Sequence, residues 1–283
     1  MKLLCVAVPT LDRWEILLRT LQDLAGQDSL PDEVIVVDQA AGSIERSGLA
    51  VGIPGLKHIQ CGLVGLPAAR NLAIENCSCE YILFIDDDVQ LPVGFVSAYR
   101  DAIHEYGPNA QGLGGPVVEE PDELSNWEGI GGRVTKYGRA LRNFREGTCG
   151  TVDALPGGNM AFRASLIRSL GGFDERFRRA ALLEETDMCY RIRENGGALI
   201  LDARLALKHL RAPSGGCRSL DLHSTMVDRI ESTILFASKH ESVSEVLSRL
   251  ALCVAVLRKS RELGRGPTWD CLASALTYQP GER

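Results

Sequence analysis

The sequence predicts an α/β fold with a mostly parallel central sheet flanked by helices, and three observations carry that prediction. Short, continuously apolar runs alternate with stretches whose apolar residues recur every three or four positions. Several of the runs end on polar or acidic residues, as strands do where they reach a crevice. No repeat or low-complexity tract interrupts the 283 residues.

Residues 3–8 (LLCVAV) read as a fully buried strand that stops at Pro9. From Trp14 to Leu24 the apolar positions Trp14, Leu17, Leu18, Leu21 and Leu24 define a helix, with Asp12 as its expected cap. EVIVVD (33–38) is a second buried strand, followed by a Gly-rich loop, LKHIQ (56–60) and a helix over 65–75. YILFIDDD (81–88) is a third strong strand, and 92–106 is helical with Pro92 near its first turn. Residues 107–150 lose periodicity, and 121–150 is expected to be a loop or lid. Order returns with a strand and short helix in 157–173, a helix over 184–194, and short strands at 198–202 and 205–210. Residues 220–263 look mostly helical. The expected partition is one α/β domain over 1–218 and a helical extension over 219–283.

Composition excludes several classes. At 45% hydrophobic and 24% charged residues the chain is an ordinary globular one. A net charge of −6, from 37 acidic and 31 basic residues, gives no electrostatic footprint for nucleic acid. The apolar opening is too short for a signal peptide, and no run reaches the ~18 apolar residues of a membrane span. Nine scattered cysteines without a C-x-x-C indicate neither a disulfide framework nor a zinc site, so a reducing cytoplasm is the expected home.

In a parallel sheet the strand ends VPT (8–10), VVD (36–38) and IDDD (85–88) converge on one crevice. Three consecutive carboxylates raise one another's pKa unless a cation is present. At the end of a buried strand, Asp86, Asp87 and Asp88 suit Mg²⁺ or Mn²⁺, whose preferred ligands are hard oxygens. The alternative is a solvated acidic loop or a cap for the following helix.

The segments VPTLDR (8–13), VIVVDQ (34–39), GLPAARN (65–71), LFIDDDVQLP (83–92), GGNMAFR (157–163) and LEETDMCYRI (183–192) occur in an order that resembles a family 2 glycosyltransferase of the GT-A, Rossmann-like fold. The resemblance reaches to His209 and implies roles for individual residues. Pro9 and Thr10 fall in the first nucleotide-contacting loop, Asp38 meets the base, and Arg70 lies near base and phosphates. Asp86 meets ribose and metal, Asp87 sits between them in the D-x-D motif, and Asp88 is the principal metal ligand. Leu11 stands where many relatives carry an aromatic residue, and Gln39 replaces a frequent second acid. Gly157, Gly158 and Asn159 resemble the segment near donor sugar and acceptor. His209 completes the metal site as a neutral imidazole, and Ser214, Gly215 and Gly216 form a loop that closes on the diphosphate.

Sugar transfer with inversion needs a carboxylate that takes the acceptor hydroxyl's proton. Glu185 occupies the expected position, with Glu184 as the alternative. The expected reaction is inverting, metal-dependent transfer from a UDP-, GDP- or dTDP-linked sugar to a hydroxyl acceptor, saccharide or lipid-linked, in glycan or glycolipid synthesis. The rivals are a sugar-phosphate nucleotidyltransferase, disfavoured because PTLDRWE contains no glycine, and a non-catalytic nucleotide-sugar binder, disfavoured by the retained acid pair.

Two features stand outside this scheme. Arg133, Lys136, Arg139, Arg142 and Arg145 recur every third position, the pattern of a solvated face, with contact to an anionic acceptor as the alternative. LALCVAVL (250–257), followed by Arg258, Lys259 and Arg261, reads as an ordinary packed helix, with peripheral membrane contact as the alternative.

Overall fold

A computed structural model describes residues 2–40, 52–53, 55–62, 64–119, 126–212 and 221–281. The chain runs β1 (Leu4–Thr10), α1 (Trp14–Ala25), β2 (Glu33–Asp38), β3 (Leu56–Gln60), α2 (Leu66–Asn76), β4 (Tyr81–Ile85), β5 (Val89–Gln90) and α3 (Phe95–Tyr106). It continues through β6 (Gly112–Gly114), β7 (Val117–Val118), β8 (Gly131–Val134), β9 (Ala140–Asn143), β10 (Gly150–Thr151), β11 (Asn159–Arg163), α4 (Ala164–Ser169), α5 (Glu184–Glu194), β12 (Leu199–Leu201) and β13 (Leu207–His209). Three helices follow: α6 (Leu222–Lys239), α7 (Glu245–Leu263) and α8 (Arg265–Thr277).

The main sheet has the order β10-β12-β6-β11-β4-β1-β2-β3. β1, buried at every residue, lies in the interior of the sheet between β4 and β2, because apolar side chains on both faces demand cover on both. Leu4, Val6 and Val8 pack with Leu17 and Leu21 of α1 and Tyr99 of α3, whereas Cys5 and Ala7 pack with Ala69 and Ala73 of α2 and Met188 of α5. β3, β2, β1 and β4 are parallel, so Thr10, Asp38 and the acidic triplet lie at the same sheet edge. β11 runs against its neighbours: it is antiparallel to β4, with Asn159 opposite Ile85, and to β6. That reversal sets Gly157 and Gly158, which precede Asn159, beside the residues that follow Ile85. A small second sheet, β5-β13-β7, sets His209 opposite Val89 and hence next to Asp88.

Other local expectations need correction. Residues 126–150, the described part of the expected loop or lid, hold paired strands: β8 and β9 form a hairpin, with Gly138 at φ 75° in its turn. Its strands are too short and glycine-rich to show a period of two. Asp12 makes no capping hydrogen bond for α1 and has φ 54°. The third helix begins at Phe95 behind Gly94, not at Pro92. The C-terminal segment is three helices, with a core of its own that includes Ile230, Ile234, Leu252, Val256 and Cys271. The Gly-rich loop after β2, for 41–51, and the Ser214–Gly216 segment lie outside the described residues. Among the described residues no helix is long and apolar enough to cross a membrane.

Candidate active site

The strand ends open into a cavity of about 260 Å³. Pro9 and Thr10 from β1, all three aspartates, Arg70, Gly157, Gly158, Glu184, Glu185 and His209 line it, so most residues singled out from the sequence share one space. Two do not line it. Asp38 is fully buried and accepts from the Ala40 amide at 3.0 Å, with His58 Nε2 3.3 Å from its other oxygen. Asn159 is also fully buried: its Oδ1 accepts from the Tyr99 hydroxyl at 2.7 Å and its Nδ2 donates to the Leu205 carbonyl at 2.7 Å. In this structure both side chains brace the rim.

The aspartates are held in three different environments. Asp87 accepts from the Thr10 hydroxyl at 2.7 Å and from Arg13 at 3.1 Å, while Thr20 donates to its backbone carbonyl. Burial outweighs those contacts and pushes the Asp87 carboxyl up to about 6. Burial also disfavours ionised Asp88, but His209 Nε2 at 3.0 Å, the Ala212 amide at 2.8 Å and the Arg13 charge overrule it and hold that carboxyl down at about 2. His209 is buried too, which lowers its pKa, yet the carboxylates of Asp88, Asp86 and Glu119 raise it to about 9. Its Nδ1 is in close contact with Glu119, a buried acid directly after β7.

One oxygen from each of Asp86 and Asp88 and one imidazole nitrogen of His209 lie within 4.8 Å of one another. Two hard carboxylates and an imidazole form a donor set that fits Mn²⁺ or Mg²⁺, and Glu119 behind the ring is the outer carboxylate that such a histidine ordinarily has.

Opposite this cluster, α5 begins with three acids. Glu184 is buried and forms a close ion pair with Arg70, which is itself buried against the Phe84 and Phe173 rings and donates to the Gly157 carbonyl at 2.8 Å. Glu185 instead lines the cavity with 15% side-chain exposure, with Arg142 of β9 at 4.0 Å. The preceding segment holds Arg179, Ala181 and Leu183 at φ 56°, 49° and 69°. A left-handed leucine is costly, and its presence shows that the surrounding packing dictates where α5 starts.

Gly157 and Gly158 join the two halves. A Cβ on Gly158 would stand 2.9 Å from Asp86 Cγ, whereas one on Gly157 would stand 3.4 Å from Arg70 Nη2 and Glu185 Cγ. Gly158→Ala is therefore expected to displace Asp86 and lower kcat/KM by at least about 100-fold, with Gly157→Ala within about threefold of the parent. Steady-state kinetics on the two variants checks this, and equal effects would refute it.

Two charged lining residues received no role from the sequence, Arg13, which ties Asp87 to Asp88, and Glu119, and Arg142 was noted only as a member of a basic run. Arg13 lies within VPTLDR, and Arg142 within the every-third-residue basic run, so only their positions carried a signal. A lone acid after Val117–Val118 carried almost none.

The sheet order and the acid–imidazole cluster at its edge place this chain in the GT-A class of α/β folds. The chain belongs to glycosyl transferase family 2, whose family model matches residues 5–171. A pre-mycofactocin glycosyltransferase from Mycobacterium tuberculosis is 28% identical over 174 residues, 59% of this chain and 35% of that protein. The chain thus spans about a third of the length of the curated relatives it matches. Among solved structures, a mannosyltransferase from Pyrobaculum calidifontis in complex with GDP-Man and Mn²⁺ superposes with TM-score 0.58 at 17% identity, covering 97% of this chain and 79% of that one. S. aureus TarS 1-349 in complex with UDP-GlcNAc gives TM-score 0.60 at 17% identity, covering 98% and 80%.

Proposed function

We propose that this protein transfers a glycosyl group from a nucleoside diphosphate sugar to an acceptor hydroxyl, with inversion at the anomeric carbon. The observation that carries the proposal is that Asp86 and Glu185 face adjacent glycines of one loop. A reacting centre resting on that loop has the metal-type donor set on one side and a cavity-facing carboxylate on the other.

Glu185 takes the proton of the acceptor hydroxyl. The acceptor oxygen forms its bond to the anomeric carbon from that side as the bond to the diphosphate oxygen breaks. The electron pair leaves with the nucleoside diphosphate, and a single displacement inverts the centre. Glu184 acts differently, neutralising Arg70, which in turn fixes the Gly157 carbonyl. Asp86, Asp88 and His209 would hold Mn²⁺ or Mg²⁺, with Glu119 orienting the imidazole. When bound, the cation supplies positive charge to the departing diphosphate. GDP-Man and UDP-GlcNAc in the two neighbouring structures support a nucleotide-sugar donor. Residues 1–218 carry this chemistry in our reading, with 219–283 as an extension.

A thermal-shift screen of UDP-, GDP- and dTDP-sugars with Mn²⁺, followed by assay of the released product, tests the proposal. One donor series should raise Tm and release nucleoside diphosphate on addition of acceptor. Conversion of the nucleotide sugar to nucleoside triphosphate and sugar 1-phosphate on addition of pyrophosphate would indicate nucleotidyl transfer, and a donor-dependent shift without any turnover would indicate a binding protein; either result overturns the proposal.

A further inference from the structure

The run LALCVAVL is divided by the structure into two seams. Leu252 and Val256 of α7 turn inward and pack in the core shared with Ile230 and Ile234 of α6 and Cys271 of α8. Leu250, Val254 and Leu257, spaced by four and three residues, turn outward and are 56%, 48% and 56% exposed. Val246, 68% exposed, extends this outer seam by one turn at its start. At 3.6 residues per turn these four side chains fall on one face, so a helix surface that normally faces water with charge faces it with hydrocarbon.

Charge is distributed unevenly on the same helix. Its two acids are each engaged by a base of α7 itself, Glu245 by Arg249 at 2.6 Å and Glu262 by Lys259 at 2.8 Å. Arg258 and Arg261 are exposed and form no ion pair among the described residues. By helical spacing Arg261 follows Leu257 and Val254 on the outer seam, and Arg258 flanks it. A chain of net charge −6 therefore presents one face on which the exposed groups are apolar or cationic.

We propose that the outer face of α7 is a docking surface for an anionic lipid bilayer, on which the helix lies in the plane of the headgroups. Val246, Leu250, Val254 and Leu257 enter the acyl boundary, and Arg258 and Arg261 extend their guanidinium groups to lipid phosphates. The charge pattern selects this occupant over a second copy of the chain. The exposed side chains on this face of a second copy would again be apolar or cationic, with no acid among them to pair with Arg258 and Arg261, whereas a bilayer surface supplies phosphates. The proposal is independent of the proposed reaction, since no residue of the cavity takes part.

The test is co-sedimentation of the full chain with vesicles of phosphatidylcholine alone or mixed equally with phosphatidylglycerol, at low and high salt. Binding should be about tenfold tighter to the anionic vesicles, and salt should abolish that preference. The Leu250→Gln/Leu257→Gln variant, altered only at exposed positions, should weaken binding to both vesicle types by about tenfold or more. Arg258→Gln/Arg261→Gln should lose the anionic preference and keep the residual binding, which provides an independent readout if the first variant folds poorly. The proposal is overturned if the parent chain binds neither vesicle, or if both variants bind as the parent does. It is also overturned if light scattering shows a dimer that the leucine substitutions dissociate while the vesicles are ignored.

Discussion

Glu185→Gln is expected to lower kcat by about 10²–10⁴-fold, with donor affinity and Tm close to those of the parent. Glutamine keeps the shape of the side chain but cannot accept the hydroxyl proton, and Glu185 touches the cavity without holding the fold together. The adjacent substitution should behave in the opposite way. Glu184→Gln removes the charge that balances a buried guanidinium, and stranding a buried ion typically costs about 3–5 kcal/mol. In a chain of this size such a loss lowers Tm by about 10 °C. Thermal melts and donor titrations on both variants therefore separate the two acids. Normal transfer by Glu185→Gln would move the base elsewhere.

Asp88→Ala is expected to reduce turnover by on the order of 10³-fold and to weaken Mn²⁺ binding by calorimetry, with chelator treatment of the parent giving the same loss of turnover. Asp88 is the residue through which the small sheet, the β1 loop and the imidazole meet: it contacts His209, Arg13 and the Ala212 amide. Its removal deletes one carboxylate of the donor set and leaves His209 with Glu119 as its nearest anionic neighbour. Unchanged Mn²⁺ affinity together with unchanged turnover would remove Asp88 from the site.

The legible part of the fold was the part whose burial is one-dimensional. β1, β2 and β4 are covered on both faces, so each shows as an unbroken apolar run whose pattern needs no knowledge of its neighbours. β6, β7 and β10 have three, two and two residues and exist because an adjacent strand pairs with them. The antiparallel direction of β11 was invisible for a related reason. Its side chains would alternate identically in either direction, and only the hydrogen bonds to β4 and β6 distinguish the two.

The candidate site divides in the same way. Asp86, Asp87 and Asp88 were conspicuous because charge at the end of an apolar strand has few uses, and Glu184 and Glu185 because they begin a helix. Glu119, Arg13 and Arg142 were not conspicuous because their relevance comes from side chains 90, 74 and 43 positions away in sequence. The outer seam of α7 is the sharpest case, since LALCVAVL looks like one packed surface until α6 and α8 take up a single side of it.

By itself, the sequence determined the main strands and helices of residues 1–106, the acids at their ends and the identity of the family. Each of these is a property of a contiguous segment and its chemistry. Only the tertiary structure decided that Glu184 neutralises Arg70 while Glu185 faces the cavity, that Asp38 and Asn159 brace the rim, and that half of an apolar helix remains uncovered. Those are outcomes of which surfaces meet, and long-range pairing, unlike local periodicity, leaves no regular trace in the order of residues.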